Sequence, residues 1–329
     1  MEQTQGTLGR RHFLNRSAQL VVAASAVAAT GDATRAQPQA QEPSAAKAPD
    51  FIIDSHIHCG ETAAWVDEMV RTYRPRGAMA CVLTRFKDME LIKKAMADYP
   101  DLFVGYGYVD LDNQAAVREV EAFFKNGFVG MKFHSPQKDY DDPSYFQVYR
   151  MCEQYRMHML FHTGVTNRRI SDEPKLQSAS RMRPMYLDTI CRVCPKTTVQ
   201  GAHLGNPWYE EAAEAARWNP NLFFDVTGST LLKLIKLGRL ERLSEVFWWS
   251  SDESENNPHT LKGGPGAWDH IVFGTDEPPS GLAGNIERFQ KMLDVNHVPE
   301  TQRAKMWGLT IAQVLGIDPK TRRLAPRKA

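Results

Sequence analysis

Five of the 10 histidines, His56, His58, His134, His162 and His203, fall at or just beyond the C-terminal end of a short apolar run. In Asp54-Ser55-His56-Ile57-His58 the two histidines are two residues apart, so an extended backbone projects both side chains from one face. One cation could take both. Imidazole suits zinc and other first-row divalent ions, and a catalytic centre of that kind needs about three protein ligands with a position left open. His162, in Met159-Leu160-Phe161-His162-Thr163-Gly164, and Asp276, in Phe273-Gly274-Thr275-Asp276-Glu277-Pro278, are the natural further ligands, with His203 of Gly201-Ala202-His203-Leu204-Gly205 close by. Burying so many ionisable groups together is costly unless a cation or mutual pairing compensates.

Side chains spread this far along the chain meet only if strands bring their ends together. From Asp50 onward, β-rich apolar runs alternate with longer amphipathic stretches, which argues for βα units and a mainly parallel sheet. The expected strands are Phe51 to His56, Ala78 to Leu83, Leu102 to Val109, Val129 to Phe133, His158 to His162, Thr198 to His203, Leu222 to Val226 and His270 to Gly274. Helix-like stretches between them include Met89 to Tyr99, Ala115 to Lys125, Tyr145 to Tyr155, Met185 to Cys194 and Tyr209 to Trp218. The count fits a (β/α)8 TIM barrel, in which chemistry gathers at the C-terminal strand ends. Gly284 to Leu293 and Glu300 to Leu315 read as C-terminal helices. No glycine-rich dinucleotide fingerprint follows the first strand, which speaks against a doubly wound sheet.

At 329 residues, with 42% hydrophobic and 24% charged, the chain can bury one barrel-sized core. A net charge of +1 and a pI near 7.7 give no footing for a nucleic-acid partner or an anionic membrane surface. The N-terminus differs: Gly9-Arg10-Arg11-His12-Phe13-Leu14 is a twin-arginine pattern, followed by the small-residue apolar stretch Ala18 to Ala29. Residues 1–36 are therefore expected to be an export signal, 37–50 a disordered linker, 51–318 the barrel and 319–329 a loose basic tail. The implied location is periplasmic or secreted, with no membrane partner once the signal is removed. Five cysteines make no disulfide framework, and the Cys191/Cys194 pair lacks the second pair of a four-cysteine zinc site, so a structural role is expected.

With these motifs in place, the sequence resembles the amidohydrolase superfamily, and within it the amidohydrolase-related (type 2) branch that includes aminocarboxymuconate-semialdehyde decarboxylase-like enzymes. The resemblance runs from about Phe51 to Leu315 and is carried by DSHIH (Asp54–His58), GMKFH (Gly130–His134), LFHTG (Leu160–Gly164), GAHLG (Gly201–Gly205), NLFFDVTG (Asn221–Gly228) and FGTDEP (Phe273–Pro278). It implies that His56, His58, His162 and Asp276 surround one divalent ion, zinc or manganese, with His203 the acid/base or a further ligand. Asp276 would accept the proton of a water whose pKa the ion brings down toward ~7.

Lys132 and His134 share one face of the fourth strand. In some relatives a lysine there is carboxylated and bridges a second metal; otherwise Lys132 could bind a substrate carboxylate, and His134 either touches substrate or supports a ligand. Arg183, in Arg181-Met182-Arg183-Pro184, has a fork suited to a carboxylate, or else makes a surface salt bridge. Trp65, Trp208, Trp248, Trp249 and Trp268 could wall a pocket or simply pack. Ser250 to Gly266 is long for a barrel loop, which suggests a lid or a homo-oligomer contact. The expected activity is hydrolysis of a small cyclic amide, lactone or related acyl compound. The alternative is non-oxidative decarboxylation or hydration of a small carboxylic acid, and a binding protein without catalysis is the third class.

Overall fold

The computed structural model describes residues 49–167, 177–251 and 258–326. The twin-arginine segment and nearly all of the linker lie outside the described residues, as do residues 252–257 of the long loop. Eight parallel strands run in chain order: β1 (Ile52–His58), β2 (Ala78–Arg85), β3 (Phe103–Tyr108), β4 (Gly130–Phe133), β5 (His158–Phe161), β6 (Val199–Gly201), β7 (Leu222–Asp225) and β8 (Ile271–Val272). Between them lie α1 (Ala63–Tyr73), α2 (Met89–Asp98), α3 (Ala116–Lys125), α4 (Phe146–Gln154), α5 (Tyr186–Val193), α6 (Tyr209–Trp218), α7 (Ser229–Lys236) and α8 (Arg242–Val246). After β8 come α9 (Leu282–Val295), α10 (Glu300–Ala304) and α11 (Thr310–Leu315). This is the (β/α)8 barrel with C-terminal helices that the alternating pattern predicts. The seam closes where the Ser55 N–H donates to Phe273 O at 3.0 Å and the Asp276 N–H donates to His56 O at 2.7 Å.

Strand alternation divides the core. Met79, Cys81, Leu83, Val104, Tyr106, Leu160, Phe223 and Val272 form an inner cluster, joined by Ile311, Ala312 and Leu315 of α11. The intervening residues, such as Ala80, Val82, Phe103, Met131, Met159 and Phe224, join the helices in the outer cluster. The glycines of β3 set how closely α3 can approach: a Cβ on Gly107 would come within 2.4 Å of the Phe123 ring. In β1, Ile53 belongs to the inner cluster and Ile57 to the outer, although an even spacing should keep them on one face. A register shift between Asp54 and Ile57 accounts for the reversal.

One expectation changes. Order extends past Asp318, because the backbone N–H of Arg322 bonds back to Asp318 O at 2.7 Å and Arg323–Leu324 pair antiparallel with Ile317–Asp318. Of the two readings of the tryptophans the structure shows packing, away from the strand ends: Trp65 against Phe103, Trp208 under Arg183, Trp248 and Trp249 around Arg217, and Trp268 against Phe247. All five cysteines are free, and Cys191 and Cys194 are buried, in keeping with a structural role. Among the described residues no helix is long and apolar enough to cross a membrane.

Candidate metal centre at the strand ends

A cavity of about 820 Å³ opens at the C-terminal ends of the strands, and His56, His58, His134, His162, His203 and Asp276 all border it. The β1 register shift turns both histidines of the HxH pair toward it. His56 Nε2 and His58 Nε2 lie 3.4 and 3.3 Å from Asp276 Oδ1, and one donor atom from each of the three residues falls within a 4.8 Å span. His203 Nε2 is 3.8 Å from the other Asp276 oxygen and 3.3 Å from His162 Nδ1. Asp276 and His203 both adopt left-handed backbone conformations, φ 51° and 62°. Such strain in residues other than glycine concentrates at functional sites. Gly228, at φ 59°, leaves room for His203, since a Cβ there would be 2.9 Å from its Nδ1.

A buried carboxylate that the sequence reading left without a role organises this group. Asp225, at the end of β7 and fully buried, accepts from His56 Nδ1 at 3.0 Å and from Gln200 Nε2 at 2.8 Å. Its other oxygen accepts from the Thr227 hydroxyl at 2.6 Å and from the His203 N–H at 2.9 Å. Because the Thr227 proton goes to Asp225, the threonine oxygen must accept from His203 Nδ1, 2.8 Å away. His203 Nε2 then carries the lone pair and accepts from His162 Nδ1. By the same logic His162 Nε2 carries a lone pair, and that atom is buried with no hydrogen-bond partner. One carboxylate thus fixes three imidazole tautomers so that His56, His162 and His203 each present an unprotonated Nε2.

Electrostatics agree with that assignment. Burial lowers the pKa of His58 and His162, and brings His203 to about 4 and His134 to about 3, so all four are neutral near pH 7 and able to donate lone pairs. Burial opposes ionisation of Asp225 and Asp276, but the hydrogen bonds and polarity of the surrounding histidines, His56 and the His203 N–H at Asp225 and His58 at Asp276, outweigh it and hold both below the carboxylate range. Beneath β1, burial lifts Asp54 to about 6 against donors from Tyr73, Thr275 and the His56 backbone.

The donor set fits a divalent ion of the zinc or manganese kind: imidazole nitrogens with one carboxylate, and a buried nitrogen lacking any other partner. His56, His58 and Asp276 meet directly, while His162 lies outside their 4.8 Å group and faces it across His203. His134 packs against His162 with ring centroids 4.1 Å apart and bonds Ser135 through Nδ1.

Lys132 of β4 stands directly beside the centre. It is fully buried below the cavity wall, with Nζ 3.2 Å from His56 Nε2, and burial lowers it to about 8 while Asp276 and Asp225 pull upward. Its ammonium is engaged by His56 there and does not border the cavity. Arg183 is likewise engaged elsewhere: its guanidinium forks onto both Glu211 oxygens and lies over Trp208, 4.8 Å from the ring centroid. Its salt-bridge reading is the one the structure bears out. Within the long loop, residues 260–266 border a separate cavity with Trp249 and Lys305. Sequence reasoning also passed over Arg85 and Tyr108, which border the strand-end cavity. Both close observed strands, β2 and β3, as His58 closes β1.

Residues 11–317 match the family described as amidohydrolase. No curated relative matches the chain. Among solved structures, a TIM-barrel protein from Bordetella bronchiseptica is 15% identical, with a TM-score of 0.57 over 81% of this chain and 98% of its own. The 5-carboxyvanillate decarboxylase of Sphingomonas paucimobilis is 14% identical, TM-score 0.52, over 82% of this chain and all of its own. The 2,6-dihydroxybenzoate decarboxylase of Rhizobium is 14% identical, TM-score 0.52, over 80% and 98%. At these identities the likeness speaks for the fold.

Proposed function

The chain belongs to the amidohydrolase family, and on that premise we propose that it is a metal-dependent enzyme acting on a small molecule, by hydrolysis of an acyl bond. The observation that carries this is the convergence of His56, His58 and Asp276 beside His203, with the histidine lone pairs set by Asp225. A divalent ion held there supplies a Lewis acid and acidifies a water. Asp276, kept ionised, is placed to take a proton. His203 Nε2, neutral and 3.8 Å away, can accept one and pass it to a leaving group, while Asp225 stabilises the resulting imidazolium through Thr227.

Non-oxidative decarboxylation is the second reading. The same groups serve it, a proton taken from water by Asp276 passing through His203 Nε2 to the carbon that loses carbon dioxide, and two proteins of similar fold are named as decarboxylases. Elemental analysis of gently purified protein should find about one zinc or manganese per chain. A screen of lactones, cyclic amides and aromatic acids should then give activity that a chelator abolishes, carbon dioxide release marking decarboxylation and acid release marking hydrolysis. Protein with no metal and chelator-insensitive turnover would sink both readings.

A further inference from the structure

Among the described residues bordering the strand-end cavity, Arg85 is the cation that neither the metal centre nor the proton path uses. Arg85 is the last residue of β2, two after Leu83, whose side chain lies in the barrel interior. The same parity turns Arg85 inward at the mouth. Its Cα partner across the sheet is Tyr108, and the Tyr108 partner is Lys132, so the three stand in one row around the barrel. The guanidinium carbon lies 5.7 Å from the centroid of the Tyr108 ring, an arrangement that supports the plane of the fork and leaves its N–H edges open. Arg85 is thus mounted on a strand, like His56 and His58, and not on a loop.

No carboxylate among the described residues lies within salt-bridge distance of it, and the nearby acids are engaged. Glu61 takes Lys87 at 2.5 Å, and Asp112 takes the Tyr145 hydroxyl at 2.5 Å and the Gln137 N–H at 2.8 Å. Asp110 accepts the N–H of Asp112, and Glu119 accepts from Asn113. Arg85 and Tyr108 border both the metal-side cavity and an adjoining one of about 800 Å³ whose outer wall carries Asp110, Asp112 and Glu119. That acidic wall repels anions more strongly the higher their charge, so the cation there favours a ligand with a single negative charge.

We propose that Arg85 is the carboxylate-binding end of the substrate pocket, so that the substrate is a small molecule bearing one carboxylate gripped by this fork while its reacting group faces His56, His58 and Asp276. This rests on the metal-centre reading for where the reacting group lies. The carboxylate subsite itself is testable without a metal.

Benzoate and its neutral counterpart benzamide are the probes, titrated by calorimetry into the full-length chain, first chelated and then zinc-loaded. Chelated wild type should bind benzoate ~10-fold or more tighter than benzamide, the scale of a charge-assisted fork. Arg85→Gln should abolish that preference, and Arg85→Lys, which keeps the charge but loses the fork, should retain only part of it. Zinc stoichiometry should be the same in all three. A wild-type preference that survives in Arg85→Gln, or no preference in the chelated wild type, overturns the assignment. If the Arg85-dependent preference persists in a chain that binds no zinc, the metal-centre reading fails and the subsite stands. Zinc binding without that preference gives the converse.

Discussion

Asp225 decides which nitrogen of His56, His162 and His203 faces the pocket, although only His56 and His203 touch it. An asparagine there keeps the shape but replaces one accepting oxygen with a donor, which would oppose either His56 Nδ1–H or Thr227. Asp225→Asn should therefore lower metal affinity and activity together, by roughly 10- to 100-fold. His203→Asn should behave differently: kcat falls ~10² or more while metal content, read by chelator competition, stays near the parent. If His203→Asn loses metal in step with activity, His203 is a ligand and the proton-transfer role fails. The histidines were legible because their residue type and strand-end positions coincide. Asp225 was not, since a carboxylate closing Leu222-Phe223-Phe224 reads equally as a cap or a turn residue. The arginines were confused for a related reason: nothing in a sequence says that the Arg183 fork is consumed by Glu211, 28 residues on, while that of Arg85 is left open.

Among the elements, β1 does most to shape the centre, and a carboxylate holds it in place. Asp54 is fully buried and accepts from Tyr73 of α1 at 2.6 Å, from the Thr275 hydroxyl at 2.7 Å and N–H at 3.0 Å, and from the His56 N–H at 3.0 Å. It thereby joins α1, β1 and the chain leaving β8 at the point where the register shifts. Asp54→Ala strands several buried donors at once and should cost about 3 kcal/mol or more in urea unfolding. A loss under about 1 kcal/mol would mean that water or repacking satisfies those donors. Element positions were readable from periodicity, because inner and outer residues alternate along each strand. Their ends were less so. The strand expected at His270 to Gly274 contracts to Ile271–Val272, since Phe273 turns its N–H to Met306 O at 2.8 Å. The helix expected at Glu300 to Leu315 is interrupted by a wider turn at Lys305–Leu309, where Gly308 comes close to the Ile53 backbone. Both departures arise from contacts more than 30 residues apart, which a local pattern cannot register.

At the scale of the whole barrel, the metal centre spans the seam. β8 is two residues long, and no regular ladder joins it to β1. Closure there depends on the Ser55 and Asp276 amides, the Ser55 hydroxyl on Phe273 O at 2.8 Å, and the Asp54 network. His56 and His58 stand on one side of this seam and Asp276 on the other, so an ion bound by all three would tie the first strand to the last. A ligand that binds only the closed arrangement stabilises it by about 2.7 kcal/mol at a hundredfold excess over its Kd. In hydrogen exchange that is a slowing of up to ~100-fold for amides released by local opening of the seam. Chelation should therefore speed exchange at Ser55 and Asp276 far more than at His158, whose N–H bonds Val129 O at 3.0 Å on the opposite side of the barrel. Peptides covering residues 52–58 and 271–278 resolve the comparison by mass spectrometry. An equal acceleration at all three positions would mean that the ion stabilises the barrel only as a whole, and that the seam holds through Asp54 and the backbone alone.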